Sequence, residues 1–141
     1  MMVREIKIEK RLKDGLEAYG FKCIKLVTPG SAGIPDRLIL APKWSPSPPV
    51  FVELKAPNKK ERSLQTEVAN DMRWRGCCVK NACDTFKKVD DLVDSMLLEA
   101  VWRIKWPDRI KLPEHILTKY RSLTYHIKEE DERGAVKNSN L

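Results

Sequence analysis

The chain has 141 residues, 42% of them hydrophobic, with 27 Lys+Arg against 20 Asp+Glu, a net charge of +7 and a pI near 9.3. That length supports one real core rather than two, the composition excludes a wholly disordered chain, and the basic balance favours a polyanionic partner. Cys23, Cys77, Cys78 and Cys83 follow no zinc-ligand spacing, so reduced cysteines of a cytoplasmic protein are expected. The N-terminus lacks the apolar stretch of a signal peptide, and no run is long enough to span a bilayer, so no membrane partner is expected.

In chain order, residues 3–19 read as an amphipathic helix with Ile8, Leu12, Leu16 and Tyr19 on one stripe, stopped by Gly20. Residues 21–27 alternate as a strand does. A Gly/Pro-dense loop, 28–35, leads into a second apolar run that opens at Asp36. The Pro-rich segment 41–49 reads as a hairpin loop, and Val50 to Lys55 is the clearest strand. A basic loop, 56–62, precedes a helix over 64–75, which Ser63 is placed to cap, with Leu64, Val68 and Met72 on its inner face. A short strand, 77–80, and a helix, 85–100, complete the pattern, the helix turning Phe86, Val89, Leu92, Val93, Met96 and Leu97 inward. The order helix, three strands, helix, strand, helix predicts an α/β fold: a mixed β-sheet flanked by helices. Residues 1–100 form the expected domain. Residues 101–141 form a basic extension, an accessory helix or dimer arm whose end reads as disordered.

The chemistry concentrates in two strands. Residues two apart on a strand share a face, so Glu53 and Lys55 point together while Val50, Val52 and Leu54 pack the other way. If the neighbouring strands pair as a hairpin, Asp36 falls beside Glu53. Two carboxylates on adjacent strands suit Mg²⁺, which takes hard oxygen ligands and is completed by waters and substrate phosphate. A lysine beside them can offset charge on an attacked phosphate.

The run GIPDRLIL, then FVELKAP, then a basic loop and SLQ opening a helix, resembles the VRR-NUC family of the PD-(D/E)xK nuclease superfamily. The resemblance covers about the first hundred residues. It implies a restriction-endonuclease-like fold and metal-dependent cleavage of DNA. It implies Asp36 and Glu53 as ligands of one or two Mg²⁺ ions (Mn²⁺ as substitute), the Leu54 carbonyl as a third ligand, and Lys55 as the catalytic lysine. Gln65 would lie by the site. The family's acidic residue on the first helix falls on Glu9, with Glu5 as the alternative, as catalytic residue and ligand. Lys59, Lys60 and Arg62 are expected to contact DNA, and Ser31 with its neighbouring glycines to offer backbone N–H groups to a phosphate. Stand-alone members of the family point to a homodimer acting on branched DNA, a Holliday-junction resolvase-like endonuclease. A flap, end or single-strand nuclease, and a DNA-binding protein without cleavage, remain as alternatives.

Overall fold

The computed structural model describes residues 5–55 and 63–125 of the chain. Lys59, Lys60 and Arg62, and the C-terminal stretch read as disordered, lie outside the described residues. The elements are α1 (Glu5–Glu17), β1 (Lys22–Lys25), β2 (Arg37–Leu40), β3 (Val50–Val52), α2 (Ser63–Trp74), β4 (Cys78–Val79) and α3 (Phe86–Trp102). Their order matches the sequence pattern.

The strands form one mixed sheet in the order β1-β2-β3-β4. β1, β2 and β3 are a meander of antiparallel pairs, in register at Cys23 with Ile39 and at Arg37 with Val52. β4 then joins β3 in parallel, with Val50 opposite Cys78, after the chain has crossed over through α2. Parallel neighbours require such a crossover, whereas the antiparallel pairs are joined by loops. Beyond β4, Cys83 N–H donates to the Glu53 carbonyl at 3.0 Å and Lys55 N–H to the Cys83 carbonyl at 2.9 Å. This bridging holds the end of the β3 segment straight through Lys55.

Alternation along the strands sorts the two faces. Arg37, Ile39, Val50, Val52 and Leu54 are buried on one face, which α1 and α3 cover. α1 contributes Ile8, Leu12 and Leu16, each 0% exposed, and α3 contributes Val89, Leu92, Met96, Leu97, Ala100 and Val101. The two helices approach closely at Gly15, where an added Cβ would sit 3.2 Å from a Val93 methyl. Arg11 also reaches Asp90 through two 2.8 Å hydrogen bonds. Thr85 caps α3, its side chain accepting from Lys88 N–H. That cap satisfies one of the donors a helix start leaves unpaired.

α2 lies on the opposite face and differs from the expected pattern. Ala69 is its buried residue, Val68 and Met72 are half-buried, and Leu64 is 48% exposed. The inner face is therefore turned by about one residue from the Leu64–Val68–Met72 stripe, which swings Gln65 toward the sheet. The loop before β2 explains the turn. Gly33, at φ +87°, brings backbone so close to α2 that a Cβ would lie 2.9 Å from Val68 and 3.1 Å from the Leu64 carbonyl. Leu64 and Val68 pack against this loop instead of the sheet.

The chain divides into two compact units, Met1–Ile104 and Lys105–Leu141. The described part of the second contains a 3₁₀ turn, Pro107–Arg109, and helix over residues 114–125. Arg109 stacks over the Trp106 ring at 5.4 Å. Among the described residues, no helix is long and apolar enough to cross a membrane.

Candidate active site

β2 begins and β3 ends at the same end of the sheet, because the two strands are antiparallel. Asp36 immediately precedes β2 and Glu53 immediately follows β3, so the Arg37–Val52 register brings the two carboxylates together. The backbone secures them reciprocally. Asp36 N–H donates to Glu53 Oε2 at 3.0 Å, and Leu54 N–H donates to Asp36 Oδ1 at 3.1 Å. Each carboxylate is thus fixed by the peptide group of the other's strand.

Glu53 is 9% exposed, and its other oxygen, Oε1, gathers the remaining side chains. Lys55 Nζ lies 3.3 Å away and Gln65 Nε2 donates at 3.1 Å. Burial and, next, the nearby Asp36 charge push the Glu53 carboxyl above its ordinary value of 4.5. The Lys55 ammonium and the Asp36 N–H act the other way.

The pairing also orients Leu54. The Glu53 carbonyl and Lys55 N–H both face Cys83, so the intervening Leu54 peptide groups face β2. The Leu54 N–H bond to Asp36 agrees with that direction, and it turns the Leu54 carbonyl to the carboxylate side.

Glu9 stands apart from this cluster. Its Oε2 accepts from Arg37 Nη2 at 3.1 Å, while Arg37 Nη1 donates to Asp36 Oδ2 at 2.6 Å and to the Asp36 carbonyl at 3.1 Å. Arg37 is 1% exposed, the largest fully buried side chain among the described residues. The sequence reading missed it. The available signal was alternation: in DRLIL, Arg37 shares the core-facing side with Ile39, and a charge there requires a partner. Glu5, at the start of α1, is half-buried. Ser31 is exposed in a turn where its N–H donates to the Thr28 carbonyl at 3.2 Å.

The carboxylate pair fits a hard divalent cation. It presents two apposed negative charges, one of them in a position where ionisation is disfavoured, and a cation would relieve that repulsion. Among the described residues no group of three or more His, Cys, Asp or Glu side chains gathers as a metal centre. Two carboxylates and a main-chain oxygen are therefore what this site offers, with water and substrate left to complete a coordination shell.

A mixed four-stranded sheet between helices, carrying a carboxylate–lysine cluster at one end, is the class of protein these observations define. No family model matches the chain. A solved structure of a "VRR_NUC domain" is similar to it at 33% identity and a TM-score of 0.55, over 64% of this chain and 94% of that domain. The protein named "Putative nuclease p44", of Acyrthosiphon pisum secondary endosymbiont phage 1, is 39% identical to it over 64 residues, 45% of this chain. That match covers 66% of the phage protein, slightly under two thirds of its length. The chain belongs to the VRR-NUC family of nuclease domains.

Proposed function

We propose that the chain is a divalent-cation-dependent DNA endonuclease that hydrolyses phosphodiester bonds in branched DNA as a homodimer. The observation that carries the hydrolytic reading is the convergence of Lys55 and Gln65 on the same Glu53 oxygen, beside Asp36. Asp36, Glu53 and the Leu54 carbonyl would hold Mg²⁺ or Mn²⁺. When bound, the cation supplies positive charge to the attacked phosphate and acidifies water at the site. Lys55, anchored by Glu53, offsets the negative charge that develops on the phosphate. Gln65 holds Glu53 in place through its amide N–H.

The net charge of +7 supports a nucleic-acid substrate. Lys59, Lys60 and Arg62 follow the site directly in sequence and supply phosphate contacts, whereas the Ser31 N–H is spent on the Thr28 carbonyl inside its own turn. Branched DNA is the proposed substrate because a small basic domain can read the shape of a junction through its phosphates. A four-way junction needs two matched incisions, which a two-fold dimer delivers. The test is cleavage of end-labelled four-way junction, flap, single-strand and linear duplex DNA with Mg²⁺ or Mn²⁺. Paired symmetric nicks in the junction are expected. Cleavage confined to flaps or ends would replace the junction reading. Binding with no cleavage of any substrate would leave a DNA-binding module.

A further inference from the structure

We propose that Arg37 is a positioning residue that clamps the Asp36 carboxylate, and that Glu9 acts on the site only by anchoring Arg37, not as a cation ligand. This rests on the reading of Asp36 and Glu53 as the cation-holding pair. The guanidinium forks between two elements. Nη1 reaches Asp36 Oδ2 at 2.6 Å on the sheet, and Nη2 reaches Glu9 Oε2 at 3.1 Å on α1. Asp36 Oδ1 is meanwhile held by Leu54 N–H at 3.1 Å. Donors on both oxygens, from two strands, fix the plane of the carboxylate and hence the direction of its free lone pairs.

Packing does not account for Arg37. A hydrophobic side chain of similar volume serves a core as well as a buried ion pair does, or better. Arg37 also leaves its Nε buried and without a hydrogen-bond partner. Such a group in a native interior calls for an explanation. Here the guanidinium sits where it reaches two carboxylates, at the cost of its third nitrogen. Glu9 has a side chain 33% exposed on the far side of that guanidinium. Its negative charge holds the clamp against Asp36 and links the position of α1 to the site.

A double-mutant cycle separates anchor from ligand. Mn²⁺ affinity is read without DNA from the spin-resonance signal of free Mn²⁺, and single-turnover cleavage is read in parallel. Glu9→Ala is expected to weaken both by about tenfold in the wild-type background, the effect of losing an outer partner of a ligand. In an Arg37→Met background the same change is expected to cost less than about twofold, because the relay is already broken. Arg37→Lys, whose ammonium spans one carboxylate at a time, is the second background should Arg37→Met not fold; the Glu9→Ala effect shrinks there as well. An equal loss from Glu9→Ala in all backgrounds would make Glu9 a direct ligand and overturn the clamp alone. Asp36→Asn is the control. If it binds Mn²⁺ as tightly as wild type, the cation-site reading fails and the clamp fails with it.

Discussion

Glu53 accepts hydrogen bonds from Asp36 N–H and Gln65 and an ion pair from Lys55, yet its carboxyl is pushed up from 4.5 by burial and the Asp36 charge. The folded protein therefore holds that proton more tightly than the unfolded chain does. The resulting stability is fully present below the ordinary value and is lost as pH rises through the raised one. In EDTA, wild type should lose Tm relative to Glu53→Gln over that rise, and a pH series of paired melting curves checks it. Parallel curves would contradict the assignment. Added Mn²⁺ should recover Tm in wild type at neutral pH and not in the variant. Cys83 gives a second residue-scale test. It is 3% exposed and its thiol is pushed up to about 11 by burial. Alkylation at pH 8, followed by mass spectrometry, should label Cys83 after Cys77 and Cys78, which are only half-buried.

At the scale of elements, the loop before β2 ties α2 to the site. Gly33 sits at φ +87° with Val68 and the Leu64 carbonyl within 3.1 Å of any Cβ. Gly33→Ala should cost about 1–3 kcal/mol by chemical denaturation, from backbone strain and the clash together. It should also lower cleavage by displacing the helix that carries Gln65. Much of the element pattern was legible because strand alternation and helical stripes are set by the core itself. The meeting of Asp36 and Glu53 was legible too: E-x-K on one strand and an aspartate opening the strand before it needed only the hairpin register to come together. The inner face of α2 was not. Its apolar residues fix a stripe only when the sheet alone opposes them, and here the Gly33 loop takes Leu64 while small Ala69 meets the sheet. Arg37 was hidden for a related reason. A sequence shows a charge at a core position but not the partner that makes it tolerable, and Glu9 lies on another element.

At the scale of the whole molecule, charge governs association. A chain of net charge +7 that binds DNA through phosphate contacts should lose about tenfold or more in affinity between 50 and 200 mM salt. Fluorescence anisotropy with junction and duplex DNA measures that slope, and equal slopes for both would mean that the electrostatic term carries no shape preference. The central claim is that Asp36, Glu53 and Lys55 act as one hydrolytic centre. Single-turnover cleavage of a labelled four-way junction in Mn²⁺, with wild type, Asp36→Asn and Lys55→Ala all saturated with DNA, tests it most directly. Each variant should bind as wild type does and cut at least about a hundredfold more slowly. Cleavage by Lys55→Ala and Asp36→Asn within about twofold of the wild-type rate would place the chemistry elsewhere in the chain.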